Sequence, residues 1–286
     1  MIFLSGGVGK MVGENILGEG IEYTTFMLLS VLISSIIWLI IGSFAGIPLS
    51  STHSTVGSIF GVIFVYSLSQ GVVDPTTALN YEKLNIVVLS WFLSPLFGFL
   101  FTYILFKILS KFFLSRLRGM NKIEKSEKNF SWFFFMPVPF PGIWVGGNSA
   151  ECIGIFHALY KNGSLTLSAK NFYVVICGLF VFIGIFIAGR YVIKNLASQM
   201  TDARPSEGFI IQISSSIILM ICTLFSLPIS HSHVIVFCIL GLNAAQKREI
   251  DYKSLGKMTI YWVLTFFIAG IMGGIIYFGF VSVNLI

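Results

Sequence analysis

A proline-containing motif that occurs twice constrains the fold of this chain more than any other feature. The first copy, residues 46–53, reads Gly-Ile-Pro-Leu-Ser-Ser-Thr-His, and the second, residues 226–233, reads Ser-Leu-Pro-Ile-Ser-His-Ser-His. The copies are 180 residues apart, and the same offset relates Gly61 to Gly241. Two similar segments at a fixed offset indicate an internal duplication. The chain is therefore expected to fold as two related halves.

The composition places both copies in a membrane protein. Hydrophobic residues make up 56% of the 286 residues and charged residues only 10%, whereas soluble domains contain about 25% charged residues. Five long segments contain no Asp, Glu, Lys or Arg: residues 23–73, 84–106, 171–189, 208–246 and 258–286. A helix needs about 20 apolar residues to cross the hydrocarbon core of a bilayer. These segments are long enough for single spans or broken pairs, and their hydropathy argues against a soluble fold.

The predicted fold class is an all-α polytopic membrane protein with two inverted repeats, re-entrant or broken helices and about eight membrane segments. The first repeat is assigned to residues 1–110 and the second to residues 132–286, with a linker at 111–131. A polar cluster behind a proline, repeated inside an apolar chain, is typical of an internally duplicated membrane transporter. Residues 132–144 are predicted to be irregular, because a continuous helix would not accommodate their three prolines.

The positive charge is concentrated around the predicted linker. Seven of the 18 Lys and Arg residues lie between Lys107 and Lys128, directly after an apolar segment. Positively charged loops tend to stay on the cytoplasmic side, so we predict a cytoplasmic linker in a multi-pass protein of the plasma membrane. Contact of the linker with anionic lipid is the alternative. The net charge of +6 is therefore no evidence for nucleic acid, and the lipid bilayer is the partner that the apolar segments predict.

The two breaks are predicted to form an anion site. Pro48 and Pro228 end the preceding helices, and the Ser and Thr residues that follow are favourable helix caps. A helix that begins there directs free N–H groups and the positive end of its dipole towards the break, which attracts anions. In the alternative reading these residues only cap and pack the helices. The predicted substrate-binding residues at the breaks are Ser50, Ser51, Thr52, Ser230, His231 and Ser232.

One histidine follows each serine cap at a spacing of three. His53 follows Ser50 and His233 follows Ser230, so each histidine shares a helix face with its serine. Each is a candidate ligand for a coupling cation or a carrier of a proton. The alternative is a hydrogen-bonded structural histidine, and the sequence leaves both readings open.

No motif of an enzyme is present in the sequence. It contains no phosphate-cradling glycine loop, no cluster of metal ligands and no spacing typical of a nucleophile and its base. The four cysteines lie in apolar segments without CxxC spacing and are expected to be small buried hydrophobic residues. We predict neither an enzyme nor a cofactor or metal site.

These residues resemble the inorganic phosphate transporter family, the Pit-type phosphate permeases. Residues 46–57, Gly-Ile-Pro-Leu-Ser-Ser-Thr-His-Ser-Thr-Val-Gly, are similar to the family's G-[LI]-P-x-S-x-T-H-x-x-x-G element, and residues 227–233 resemble its second copy. The resemblance implies a secondary active transporter of inorganic phosphate, in symport with Na+ or H+ by alternating access. Sulfate or another oxyanion is the alternative substrate, and association as a homodimer is a further expectation.

A second signature of that family, G-A-N-D-V-A-N, is expected once in each half. Residues 146–151 stand at the second copy and read Gly-Gly-Asn-Ser-Ala-Glu, so Asn148 replaces the family's Asp and Glu151 its last Asn. The resemblance implies that Asn148 binds the substrate and that Ser149 and Glu151 bind the coupling cation or proton. An ionisable residue in a membrane segment is a functional candidate by default. The alternative is a carboxylate at the membrane surface or an altered, inactive site.

The first copy of this signature would fall before Met1 at the same offset. The repeat therefore predicts a first half that lacks roughly 35 to 45 residues of its beginning. A misplaced start codon, a split gene, a fragment and a degenerate carrier are the four interpretations. A transport-inactive remnant or structural membrane subunit is accordingly the alternative to a transporter.

Overall fold

The computed structural model describes residues 6–18, 21–70, 77–112, 124–129, 139–149, 151–189, 194 and 203–283. Within these ranges the chain is almost entirely helical, and strand-like pairing is confined to an isolated bridge between Leu17 and Leu79. The helices are α1 (Gly6–Lys10, continued by a π-helical turn, Met11–Asn15), α2 (Thr25–Phe44), α3 (Ser51–Gln70), α4 (Tyr81–Phe112), α5 (124–129), α6 (Pro139–Asn148), α7 (Glu151–Lys161), α8 (Leu167–Gly184, continued by a π-helical turn, Ile185–Gly189), α9 (Pro205–Leu224), α10 (His231–Gln246) and α11 (Tyr252–Ser282).

Five helices of the described part, α2, α4, α8, α9 and α11, are long and apolar enough to cross a bilayer. The prediction of an all-α polytopic membrane protein is therefore confirmed, whereas the number of segments and the repeat boundaries stay predictions. The prediction of an irregular chain at 139–144 was wrong. Pro139 and Pro141 lie in the first turn of α6, where a missing N–H breaks no helical hydrogen bond. Residues 132–138 lie outside the described part.

Each predicted break joins two helices into a hairpin: hairpin 1 is α2–α3 and hairpin 2 is α9–α10. Both first helices end in the same way, because Ile47 N donates to Gly42 O at 2.9 Å and Leu227 N donates to Cys222 O at 2.8 Å. The residue before each of these donors is left-handed, Gly46 with φ 66° and Ser226 with φ 59°. Glycine adopts this conformation freely, whereas a residue with a Cβ loses about 1–2 kcal/mol. The proline that follows prevents the helix from continuing.

Each hairpin packs against the long helix of the other half of the chain. Hairpin 1 packs mainly against α11, the last helix of the second half, and hairpin 2 packs mainly against α4 of the first half. The α3–α11 contact is a backbone contact, since a Cβ at Gly57 or Gly61 would overlap the carbonyl of Phe266 or Gly270. Gly241 of α10 contacts the carbonyl of Phe99 on α4 in the equivalent way. Helices from both halves therefore build each bundle.

The open ends of the two hairpins contact different parts of the chain. Helix α4 has 32 residues and is about 48 Å long, so its ends lie on opposite sides of a hydrocarbon core of about 30 Å. The open end of hairpin 1 lies beside the start of α4, because Gly18 N donates to Ala78 O at 3.0 Å. The open end of hairpin 2 lies beside the linker helix α5, since Ser206 N donates to the Glu127 carboxylate at 3.0 Å. The inverted orientation of the two repeats stays a prediction.

At the helix ends that lie away from the breaks, charged residues form hydrogen bonds and ion pairs with each other. Buried Glu207 accepts from Arg248 Nη2 at 2.9 Å and from Gln246 Nε2 at 2.7 Å, which ties together the open end of hairpin 2. A buried carboxylate needs such partners to offset its desolvation. Glu14, in the π-helical turn that continues α1, contacts His157 at 2.7 Å and accepts from Lys161 at 3.2 Å, both on α7. These pairs fix α1 and α7 as one unit.

We predict that Gly61→Ala destabilises the protein by about 1–3 kcal/mol, because its methyl group would overlap backbone that cannot move without separating α3 from α11. Gly279→Ala is the matched control, since it lies on α11 with no atom within 4 Å of the added Cβ. That control is expected to be neutral or more stable by about 0.5–1 kcal/mol. Thermal unfolding of the purified proteins in one detergent checks both variants, and equal midpoints would contradict the close contact.

Candidate functional site

The residues after each proline cap the second helix of the hairpin, as predicted. Ser50 Oγ accepts from His53 N at 3.1 Å and also forms a 2.6 Å hydrogen bond with His53 Nδ1. Ser230 Oγ accepts from His233 N at 3.4 Å and contacts Ser232 Oγ at 2.9 Å. Both caps are buried, at 1% and 3% exposure. The starts of α3 and α10 therefore direct their dipoles and hydroxyl groups into the interior.

The two breaks contact each other through equivalent hydrogen bonds. Thr52 Oγ1 donates to Ile229 O at 3.2 Å, and Ser232 Oγ donates to Leu49 O at 3.3 Å. Thr52 and Ser232 occupy the same position in the two copies, as do Leu49 and Ile229. Each break therefore supplies a hydroxyl group to the carbonyl before the serine cap of the other break. The structure thus brings the two predicted groups of anion-binding residues together.

His53 and His233 lie at the centre of a stack of four aromatic rings. The ring centroids of Trp91 and His53 are 3.9 Å apart, those of His53 and His233 4.6 Å, and those of His233 and Trp262 3.9 Å. His233 Nε2 is buried and has no hydrogen-bond partner among the described residues. The histidines contact each other across the two breaks, which their positions in the sequence do not reveal.

The two tryptophans of this stack also satisfy backbone carbonyls at the breaks. Trp91 Nε1 on α4 donates to Pro228 O at 3.1 Å, and Trp262 Nε1 on α11 donates to Pro48 O at 2.8 Å. Neither tryptophan is among the residues predicted from the sequence. The available signal was their position, since each is the eleventh residue of its long helix. Both residues also line a cavity of about 170 Å³ beside the two histidines.

Glu151 contacts hairpin 1 directly. It is the first residue of α7 and is only 4% exposed. Glu151 Oε1 accepts from Thr52 Oγ1 at 2.5 Å and lies 3.4 Å from Ser51 Oγ, which donates weakly. This placement argues against a carboxylate at the membrane surface. The structure therefore groups Glu151 with the predicted anion-binding residues of the first break.

Asn148 contacts the break of hairpin 2, as Glu151 contacts the break of hairpin 1. Its Nδ2 donates to Thr223 Oγ1 at 3.1 Å and to Leu227 O at 2.9 Å, and its Oδ1 accepts from Ile229 N at 3.0 Å. These bonds satisfy backbone groups that the break leaves without helical partners. Ser149 follows, half-buried, with its N–H donating to Val145 O at 2.9 Å. Asn148 and Glu151 are three positions apart and hold opposite hairpins.

The arrangement can bind an oxyanion through hydroxyl and N–H groups without a positively charged side chain. Two helix starts and the hydroxyls of Ser50, Ser51, Thr52, Ser230 and Ser232 face the region where the breaks meet. His231, the first residue of α10, has a buried Nε2 without a partner among the described residues. No three His, Cys, Asp or Glu side chains group as metal ligands in the described ranges. The Glu151 carboxylate, with the hydroxyl oxygens of Ser51 and Thr52 beside it, is the acidic group that contacts the first break.

The chain is similar to known proteins over most of its length. A solved structure described as "The sodium-dependent phosphate transporter" superposes with a TM-score of 0.72 over 97% of this chain and 85% of the other, at 18% identity, which supports the fold. A "Probable low-affinity inorganic phosphate transporter" of Bacillus subtilis is 26% identical over 278 residues, which cover 95% of this chain and 80% of that protein. A protein of the same description from Rhizobium meliloti is 24% identical over 279 residues, covering 95% and 79%.

The model of a family described as "Phosphate transporter family" matches two stretches of the chain, residues 1–149 and 140–273. Together these stretches contain both hairpins, all of α4, the part of α11 up to residue 273, and the residues that contact the breaks. The chain is an integral membrane protein and belongs to the phosphate transporter family.

Proposed function

We propose that this chain is a secondary active transporter of inorganic phosphate that works by cation-coupled symport and alternating access. The observation that carries the proposal is the meeting of two capped helix starts, one from each hairpin, in a buried region rich in hydroxyl groups. Such a region can be reached from either face when one hairpin moves relative to the other. Family membership supports phosphate as the anion.

The energetics of the task support coupling to a cation. Phosphate carries about −1.5 to −2 charges near neutral pH, and moving each negative charge inwards against 100 mV requires about 2.3 kcal/mol. Sodium ions or protons that move with the anion neutralise its charge and supply the work of their own gradient. The proposed symport therefore needs a cation site close to the anion site.

The proposed anion site consists of Ser50, Ser51 and Thr52 of hairpin 1 together with Ser230, His231 and Ser232 of hairpin 2. Their hydroxyl groups and the free N–H groups of α3 and α10 would donate to phosphate oxygens. Asn148 was predicted to bind the substrate as well. Its three hydrogen bonds to hairpin 2 favour a positioning role, in which it holds the backbone that presents Ser230 and Ser232.

The proposed cation site is centred on Glu151, with Ser149 as its neighbour in the chain. Sodium prefers oxygen ligands, and Glu151 lies among the hydroxyls of Ser51 and Thr52. For a proton, the stacked pair of His53 and His233 is the second candidate. Two imidazolium ions at a centroid distance of 4.6 Å would repel each other, so this pair would carry one proton at a time.

The remaining partner and location assignments are part of the same proposal. We place the protein in the plasma membrane, with the linker at 111–131 in the cytoplasm and a homodimer as the assembly. Within the linker the structure describes residues 111, 112 and 124–129, and the other linker residues lie outside the described part. The proposed activity is transport, without an enzymatic step.

The first prediction is uptake of labelled inorganic phosphate by proteoliposomes that contain the purified chain. Uptake should rise at least about tenfold when a tenfold inward sodium or proton gradient is imposed, because that gradient supplies about 1.4 kcal/mol for each cotransported cation. Labelled sulfate, offered separately, tests the alternative substrate. Absence of uptake of both anions under every gradient would contradict the proposal and favour a transport-inactive membrane subunit.

A second prediction concerns the serine caps. Ser50→Ala and Ser230→Ala should each raise the KM for phosphate about 10- to 100-fold, because a hydrogen bond to a charged group is worth about 1.5–3 kcal/mol. Ser67→Ala is the matched control, since Ser67 is buried on α3 but donates only to Ile63 O of its own helix. An unchanged KM in both cap variants would remove these serines from the anion site.

A third prediction separates positioning from binding at Asn148. Asn148→Asp preserves the shape but replaces the two N–H donors with an acceptor, which leaves Leu227 O unpaired at a cost of about 1–3 kcal/mol. We expect a lower thermal midpoint together with a lower kcat. Asn171→Asp on the exposed face of α8 is the control. A variant with the stability of the parent protein and a changed KM alone would show that Asn148 is a ligand instead.

A further inference from the structure

We propose that Glu151 controls the hydroxyl donors of the first break, so that a cation at its carboxylate and an anion at the break bind cooperatively. The inference rests on the proposed function and gives it a mechanism of coupling. Its grounds are the contacts of the Ser51 and Thr52 hydroxyl groups with Glu151 and the number of hydrogen bonds that one hydroxyl group can donate.

A hydroxyl group has a single hydrogen to donate. Thr52 Oγ1 lies 2.5 Å from Glu151 Oε1 and 3.2 Å from Ile229 O, so the two acceptors share its one hydrogen, and the carboxylate, as the closer and stronger acceptor, takes the larger part. Ser51 Oγ lies 3.4 Å from the same carboxylate oxygen. A phosphate at the first break requires these same hydrogens. Donation to Glu151 and donation to phosphate are therefore mutually exclusive.

The charge of Glu151 acts in the same direction as its hydrogen bonds. An ionised carboxylate in contact with Ser51 and Thr52 repels an anion bound to those residues, and burial weakens the screening of that repulsion. A sodium ion or a proton on the carboxylate removes its net negative charge and weakens it as an acceptor. Both effects release the hydroxyl groups for the anion. The cation therefore raises the affinity for phosphate, and phosphate raises the affinity for the cation by the same factor.

The other titratable groups around α7 and the breaks have to be separated from Glu151 in any test with protons. The groups on α7 itself are Cys152, His157, Tyr160 and Lys161. On the elements packed against α7 they are Lys10 and Glu14 of α1, His53 and Tyr66 of α3, and Lys170, Tyr173 and Cys177 of α8, while α2 carries none. Across the breaks α10 contributes His231 and His233. Glu14 and Lys170 contact His157 at 2.7 and 3.1 Å, beyond the middle of α7, so His53 and the two histidines of α10 are the groups nearest to the breaks.

The experiment measures binding rather than transport. The full chain in lipid nanodiscs is titrated with inorganic phosphate by calorimetry, in sodium chloride or choline chloride at one pH. For the parent protein, saturating sodium should lower the Kd for phosphate at least about fivefold, the lower end of typical coupling between sites. A second series at several pH values without sodium tests the proton. The ratio between parent and variant Kd values at each pH cancels the titration of phosphate itself.

Glu151→Gln is the decisive variant, because glutamine has nearly the same shape without the charge. In choline chloride it should bind phosphate about as tightly as the parent protein does in saturating sodium. Its Kd for phosphate should not depend on sodium. Its remaining pH dependence should be that of phosphate and the histidines alone. Exposed Glu22→Gln should retain the full dependence. Thr52→Val should lose most of the coupling, and Thr52→Ser should keep it. If Glu151→Gln fails to fold, the comparison of Thr52→Val with Thr52→Ser tests the inference instead.

The outcomes distinguish the inference from the proposed function. A parent protein that binds no phosphate under any condition contradicts both. A parent protein whose phosphate Kd is the same with and without sodium and across the corrected pH series overturns the inference and leaves phosphate binding intact. A Glu151→Gln protein that retains the dependence of the parent on sodium or pH also overturns it, as does a Thr52→Val protein with full coupling.

Discussion

The need to satisfy the backbone where two helices are broken inside a bilayer governs the rest of this structure. Unpaired N–H and C=O groups at membrane depth cost several kcal/mol each, so a break persists only when other groups replace the lost helical bonds. Here two indoles bind the proline carbonyls, two hydroxyls bind the carbonyls before the caps, and Asn148 binds both a donor and an acceptor of the second break. The polar interior that could receive an anion exists because these groups had to be assembled there.

The same requirement explains why helices are exchanged between the halves. The carbonyl of Pro48 is bound by Trp262 and that of Pro228 by Trp91, so each hairpin needs the long helix of the other half. Glycines on α3 and α10 bring the backbones close enough for this pairing. Each bundle then contains one hairpin and one long helix, and the bundles meet at the breaks through histidine rings and two hydroxyl bonds. Polar groups therefore make the contact between the bundles, whereas close backbone packing at glycines holds each bundle together.

The sequence was sufficient for the parts of this arrangement that are local. Proline, serine caps and charge-free segments predicted both breaks, the caps at Ser50 and Ser230, and the class of fold. The contacts between the copies were not predictable, because they join residues 137 to 214 positions apart, as at Trp91–Pro228 and Trp262–Pro48. The repeat offset also changes: it is 180 from Ser51 to His231 but 171 from Tyr81 to Tyr252, the starts of the long helices. A fixed offset therefore does not align the two tryptophans.

The altered signature at residues 146–151 becomes chemically consistent once its contacts are known. The resemblance to the phosphate transporter family places Asn148 where that family has Asp, and Glu151 where it has Asn. Asn148 faces a hydroxyl, a carbonyl and an N–H, and only a group that both donates and accepts can satisfy them. Glu151 faces two hydroxyl donors, which suit a carboxylate. The carboxylate has thus moved to the side of the first break, where its charge acts on hairpin 1, while the amide stabilises hairpin 2. Each of the two replaced side chains therefore meets groups of complementary hydrogen-bonding character at its own hairpin.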